Sequence, residues 1–427
     1  MIRHYIRPRG WRAFPGKYLA VKTESDYSRW LIVLGCAVGM ALGAPTFLIY
    51  SFGVFLEPLS EGLQTGRGAV SLALSIGLLG NLVAGPLVGV LSDRYGPRRM
   101  VLTGVVALAL VLACFSLVQT VVQLYVAAIL LVFLGAGTGP ITYTRIISAW
   151  FNKRRGLALG LALIGIGIGG ALAPIVSQAL IGEYGWRIAY RYLGLIVFVI
   201  SFPPLYLLLR DRPSHDLADT ATLQVTEQNP ESAEEGYSLK QAVRTREFWL
   251  LAFGFLVVAM GNSGGLVHLP PLLTDAGLTP EKAALYAGLM GVGVMIGRAA
   301  GGYLLDIFHA PYVAIGFLIG PFIAYGYFQS GIDPAYAFVP VLLFGIGMGA
   351  EFDVIPYLVT RYFGLKKFGV IYGINISTFS IGTGLGPAIM GYGYDKYGDY
   401  SVSIWIAMGA LLVGSLLISR LGKYRFT

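Results

Sequence analysis

Arg298 lies in the run Val292-Gly-Val-Met-Ile-Gly-Arg298-Ala-Ala-Gly-Gly302, about two turns before Asp306. If that run crosses a membrane, burying the guanidinium costs at least roughly 2.5 kcal/mol, and something must offset it. A planar fork of donors matches a carboxylate bidentately, which points to a small organic anion as ligand. The competing reading is a permanent ion pair with Asp353 or Glu351. These two acids, in Gly-Ala-Glu351-Phe-Asp353-Val-Ile-Pro356, are the only ones inside apolar runs and away from their ends. Two residues apart on a helix, they point to different faces, so at most one is expected to carry a proton beside Arg298. An anion arriving at Arg298 would loosen its hold on such an acid and let it take up a proton. A static pair with Arg145 or Arg298 is the alternative.

Other polar side chains in apolar surroundings are fewer and weaker signals. His268 precedes Leu269-Pro270-Pro271 and can donate to a solute or titrate near neutrality. It can equally be a satisfied structural residue near an interface. Tyr143, in Pro140-Ile-Thr-Tyr-Thr-Arg145, can meet a hydroxyl or oxo group or simply bond between helices; Tyr50 and Asn375 are further pocket candidates. Arg145 reads as a gate or packing ion pair. Gly165-Ile-Gly167-Ile-Gly169-Gly170 resembles a nucleotide fingerprint only superficially, because no strand precedes it. Small residues there let helices approach closely and slide. There is no nucleophile with a base, no metal cluster and no P-loop lysine motif, so neither an enzyme nor a cofactor is expected.

What must position these residues is a membrane fold. Of 427 residues 56% are hydrophobic and 12% charged, about half the usual charge content, and such a chain cannot clothe itself in polar surface. Apolar blocks predict twelve helices near 29–57, 68–92, 98–118, 123–150, 155–181, 186–209, 247–273, 281–305, 311–329, 335–361, 368–392 and 402–419. Cys36 and Cys114 fall inside such blocks and form no disulfide framework. The basic segment 1–28 has no apolar core of a signal peptide and reads as a cytoplasmic tail, as does 420–427.

With both termini in the cytoplasm, 24 of the 31 Lys and Arg fall on the cytoplasmic side, five outside (Arg67, Arg187, Arg191, Lys282, Lys396) and two within helices. That asymmetry is the positive-inside pattern. It accounts for the net charge of +9 without nucleic acid and suggests a cell membrane, plasma or bacterial inner. The polar stretch 210–246 reads as a cytoplasmic linker between six-helix bundles at 29–209 and 247–419. The halves repeat at an offset of 213 residues: Pro58 on Pro271, Gly89 on Gly302, Asp93 on Asp306, Gly156 on Gly369, Gly160 on Gly373 and Pro174 on Pro387. Parallel repeats of this kind put a site at mid-depth between the halves and suggest alternating access.

The segment Gly89-Val-Leu-Ser-Asp93-Arg94-Tyr-Gly96-Pro-Arg98-Arg99 resembles the cytoplasmic signature loop of the major facilitator superfamily. The resemblance implies an all-α fold of two parallel six-helix bundles and a latch at the cytoplasmic end formed by Asp93, Arg94 and Arg98, with Asp306 in the degenerate second copy. Tyr50-Ser-Phe-Gly-Val-Phe-Leu-Glu-Pro and the Arg298 segment are similar to the monocarboxylate transporter group and its oxalate:formate relatives. That likeness aligns Arg298 with the family's substrate arginine and His268 with a cavity histidine of bacterial members. Tyr50 replaces the lysine of the eukaryotic carriers and Val294 replaces their acid, which moves any proton coupling to Glu351 or Asp353. The helix at 368–392 has no Lys or Arg, so a single cation in the second half favours a monoanion. The function implied is secondary transport of a lactate-, pyruvate- or formate-like anion with protons or by exchange. Export of amphipathic, drug-like compounds is the alternative.

Overall fold

The computed structural model describes residues 26–151, 154–210 and 236–426. The N-terminal segment, Lys153 and most of the expected linker lie outside them. Eleven continuous helices are long and apolar enough to cross a membrane. One of them, Arg155–Leu208, is interrupted at Gly185, whose φ of 76° lies in the left-handed region that a glycine reaches without penalty. It makes two crossings, and the described residues therefore hold twelve.

In chain order these are α1 (Arg29–Gly62), α2 (Arg67–Tyr95), α3 (Pro97–Phe115), α4 (Val121–Trp150), α5 (155–184), α6 (186–208), α7 (Arg246–Asp275), α8 (Pro280–Ile307), α9 (Ala310–Ser330), α10 (Phe338–Phe363), α11 (Phe368–Tyr397) and α12 (Ser401–Ser419). No strand occurs among the described residues; a single bridge joins Gly236 to Gly364. Helices satisfy every internal N–H and C=O within the chain segment, which is what hydrocarbon demands. Three of these helices depart from regular winding, α4 through a tighter turn at Ala136–Thr138. Thr46–Ser51 of α1 takes the wider π winding, and α10 breaks at Ala350 between Phe338–Gly349 and Glu351–Phe363. The expected spans and observed helices agree in number and order. Several observed ends run longer, as where Asp93 and Arg94 continue α2 beyond its apolar stretch, while α3 stops at Phe115 and α10 starts at Phe338, inside the expected spans.

Buried apolar residues gather into two clusters, one drawn mainly from α1–α6 and one mainly from α7–α12. The seam between these halves is lined by glycines. On α2 and α11, a Cβ on Gly391 would stand 2.8 Å from Gly68 Cα, and one on Gly384 would stand 2.9 Å from Leu79. On α5 and α8, a Cβ on Gly291 would lie 2.6 Å from the Gly170 carbonyl carbon. The approaches to Gly68 and Gly170 are backbone-to-backbone contacts that only small residues permit, and at Gly384 the Leu79 side chain fills the space.

Followed toward their other ends, the same helix faces meet nothing. Gly373 lies eighteen residues from Gly391, five full turns, and Gly302 lies eleven from Gly291, about three turns, so each pair shares a face. Around Gly85, Gly89, Gly156, Gly160, Gly302, Gly369 and Gly373 there is open space to 4 Å among the described residues. The halves thus touch at the end where α2 begins and part at the end that carries the Asp93 loop. The result is a cleft, closed at the Arg67 end and open at the Asp93 end.

Candidate functional site

Arg298 stands where the contact between halves gives out. One turn earlier on the same face of α8, Met295 packs onto Gly167 of α5; one turn later, Gly302 faces open space. The Arg298 side chain keeps 30% of its surface exposed although it lies well within a membrane-crossing helix. Its Nε lies 3.2 Å from Asp353 Oδ2, at 38% exposure, close enough for an ion pair but off the N–H direction, so Nε has no aligned hydrogen-bond acceptor. Among the described residues Asp353 is the one acid within ion-pairing distance of Arg298.

The break in α10 explains how Asp353 arrives there. Winding restarts at Glu351, and Asp353, Pro356, Tyr357, Thr360 and Arg361 fall on one partly exposed face while Val354, Ile355, Leu358 and Val359 are buried. Glu351 points the other way, into the core of the second half, where Asn262 Nδ2 donates to its Oε1. The two acids therefore face different surroundings, as their spacing requires. Tyr50, in the π stretch of α1, lies against Gly170 and within electrostatic reach of Arg298 from the opposite half. Tyr372 of α11 stands in the same relation to Asp353. Arg298, Asp353 and Tyr50 thus come together at the apex of the cleft, and Tyr372 joins them. Tyr372 was not singled out from the sequence, because a tyrosine among 26 in an apolar helix carries no distinguishing signal.

The remaining candidates lie elsewhere. Tyr143 is fully buried in the first half beneath Gly39, and its hydroxyl has no hydrogen-bond partner among the described residues. Asn375 is buried in the second half, its Nδ2 donating to Ile371 O at 2.9 Å and its Oδ1 unpartnered among the described residues. His268 is wholly buried at the closed end, 2.9 Å from Ser71 Oγ and 3.0 Å from both Pro387 O and Tyr400 Oη.

At the open end, Arg145 binds Asp93 and donates to Gly89 O at 2.9 Å, so Asp93 holds a cation of its own half. Arg94 lies over Tyr95, Arg98 donates to Tyr206 O at 2.9 Å, and Asp306 is exposed. At the closed end the ties run between halves. Arg67 of α2 grips Asp275 of α7 through two hydrogen bonds of 2.5 and 2.9 Å. Sequence reading passed over this pair, since a charge at a helix start is unremarkable and its partner lies 208 residues away. Its one visible signal was that Arg67 is among the few cations on the sparsely charged side.

Three kinds of likeness bear on this arrangement. A family model described as Major Facilitator Superfamily matches residues 31–387. The chain is 28% identical to monocarboxylate transporter 11 of Mus musculus, over 91% of this chain and 86% of that one. It is 30% identical to monocarboxylate transporter 13 of Rattus norvegicus, over 90% and 87%. Its fold superposes on a crystal structure of a D-xylose-proton symporter with a TM-score of 0.69 at 16% identity, covering 92% of this chain and 97% of that one. The match across most of the sequence, the twelve crossings and the glycine-lined cleft between two halves agree: the chain belongs to the Major Facilitator Superfamily and is a membrane transporter, not an enzyme.

Proposed function

We propose that this transporter carries a small monocarboxylate, of the lactate, pyruvate or formate kind, by alternating access, with Arg298 receiving the carboxylate. The observation that supports this most directly is the position of Arg298: a partly exposed guanidinium at the apex of the cleft, held from one edge by Asp353. A fork of donors engaged at one edge still offers a face to a second carboxylate. Tyr50, from the other half, lies within electrostatic reach of the same guanidinium. The names of the monocarboxylate relatives, at 28–30% identity, favour the same substrate class.

The Arg298–Asp353 pair suggests how flux is coupled. An anion that settles on Arg298 competes with Asp353 for it, and the displaced acid recovers neutrality by taking a proton. Substrate and proton then cross together without net charge. If Asp353 stays ionised throughout, no proton accompanies the anion, and coupling requires a second anion carried in the opposite direction, which is exchange. We place the open end, with its Asp93 loop and basic residues, in the cytoplasm by the positive-inside argument.

The test is uptake of radiolabelled lactate, pyruvate and formate into proteoliposomes, with and without an imposed pH gradient. A carboxylate bound by two charge-assisted hydrogen bonds loses about 1.5–3 kcal/mol with each one removed. Arg298→Ala is therefore expected to reduce uptake at low substrate by more than tenfold. Unchanged uptake in that variant would remove Arg298 from the site. Efflux of a neutral dye indifferent to Arg298 would instead support the export of amphipathic compounds.

A further inference from the structure

The closed end of the cleft holds a polar network that the substrate reading does not use. Arg67, 8% exposed, takes Asp275 through both Nη atoms, reaches Glu57 at 3.3 Å and donates from Nη1 to Tyr400 Oη at 3.1 Å. Its guanidinium lies 4.1 Å from the centroid of the Tyr394 ring. Arg67 and Glu57 belong to the first half; Asp275, Tyr394 and Tyr400 belong to the second. Beside them, Gly68 N–H at the start of α2 donates to Asp395 Oδ2 at 2.8 Å, a second tie between halves at a helix N-terminus that favours negative charge.

His268 stands behind Tyr400, and its partners fix its hydrogens. Pro387 O can only accept, so Nε2 carries the hydrogen that lies between them. Ser71 Oγ, 2.9 Å from the same nitrogen, donates its own hydrogen to Arg67 O and therefore accepts from Nε2 as well. In the neutral ring Nδ1 is then an acceptor, and the group 3.0 Å from it is the Tyr400 hydroxyl. Tyr400 gives its hydrogen to His268, which leaves the phenol oxygen lone pairs turned toward Arg67. Every bond in the series runs one way, from Arg67 through Tyr400 and His268 to Pro387 O. Among the described residues the charged groups facing this series are Arg67, Asp275, Glu57 and Asp395, and the ring itself touches only neutral ones.

We propose that Arg67, Asp275 and Tyr400 form the seal that keeps this end of the cleft shut. His268 is a positioning residue of that seal, holding the Tyr400 oxygen on Arg67, and is not a ligand of the transported solute. The halves cannot part here without breaking the Arg67–Asp275 pair, so its strength sets how often this end opens. The proposal needs alternating access but not the identity of the substrate.

Ser75, two turns below Arg67 on α2 and 2% exposed against α11, offers a probe. In a Cys114→Ser background, Ser75→Cys is labelled with a hydrophilic maleimide in solubilised protein, and its rate is compared with that of buried Cys36 in the same molecule. Asp275→Asn keeps shape and removes charge; it is expected to raise the Ser75→Cys rate roughly tenfold or more while Cys36 stays slow. His268→Asn can place its amide oxygen where Nδ1 accepts, whereas His268→Gln carries its amide out to the place of Nε2 and leaves no acceptor at that of Nδ1. His268→Gln should accelerate labelling and His268→Asn should stay near the parent rate. A rate within twofold of parent for Asp275→Asn, or labelling of Cys36 rising in parallel, would overturn the seal; equal rates for the two His268 variants would overturn the positioning role.

Discussion

Gly291 of α8 and Gly170 of α5 meet backbone to backbone across the seam, so close that a methyl group on Gly291 would stand 2.6 Å from the Gly170 carbonyl carbon. Nothing flexible is available to yield. Gly291→Val should therefore cost the conformation seen here about 1–3 kcal/mol and shift the population away from it. At Gly373 an added Cβ meets no described atom within 4 Å, so Gly373→Val should leave this conformation intact and hinder closure at the Asp93 end. Spin labels on the exposed positions 99 and 366 would report both effects. The distance should shorten in Gly291→Val and stay long in Gly373→Val; no movement in the former would refute the reading of the seam as the rocking surface.

The glycine pairs visible in the sequence at the offset of 213 include three that frame this open arm: Gly89 with Gly302, Gly156 with Gly369 and Gly160 with Gly373. Periodicity and repeat made the helices and their pairing legible, since both are local or strictly registered signals. Arg298 and Asp353 were legible because a charge in an apolar run is conspicuous. What escaped notice depends on contacts between distant segments. His268 stood out by type, yet nothing in its flanking residues placed it at the seal; its surroundings come from Ser71, Pro387 and Tyr400 on three other segments. Asp93 likewise looked like one half of a latch between bundles, and in this conformation it is held by Arg145 of its own bundle.

Arg298→Lys separates charge from shape at the apex. A lysine keeps the positive charge but replaces a planar fork with a point donor. If the carboxylate is bound bidentately, the half-saturating concentration should rise by roughly ten- to a hundredfold, the equivalent of about 1.5–3 kcal/mol. Full activity of the lysine variant in uptake assays would mean that charge alone is recognised.

Asp353→Asn removes the acid that competes with substrate for Arg298. Loss of the competitor should tighten apparent affinity, while loss of the titratable group should abolish acceleration by an inward proton gradient. Exchange between internal and external substrate, which needs no proton, should persist. Uptake by Asp353→Asn that still responds to the gradient as the parent does would move coupling to another group.

Gly185 is the hinge between α5 and α6, with φ at 76°. With ψ at 161° this is a backbone region essentially reserved for glycine, and a side chain there costs roughly 1–3 kcal/mol. Space is not the obstacle, since a Cβ there would meet no described atom within 4 Å. Gly185→Ala is thus expected to lower the melting temperature by backbone strain alone and to leave substrate affinity unchanged. A variant that melts with the parent would show that the chain relaxes at this break.

Glu351 and Asn262 provide the sharpest separation between a structural acid and a coupling acid. Asn262 Nδ2 donates to Glu351 Oε1, while Asn262 Oδ1 is buried without a partner among the described residues. A glutamine at 351 would accept the same hydrogen bond and supply the donor that Oδ1 lacks. Glu351→Gln should accordingly melt no lower than the parent and retain uptake that responds to a proton gradient. Glu351→Ala would instead strand the Asn262 amide, at about 1–3 kcal/mol, and enlarge a small apolar cavity lined by Phe255, Phe317 and Leu318. It should melt several degrees lower. If Glu351→Gln abolishes the gradient response while folding normally, the proton travels through this pair and Asp353 serves only to hold Arg298. If it melts as low as Glu351→Ala, the pairing of two amides inferred here does not form.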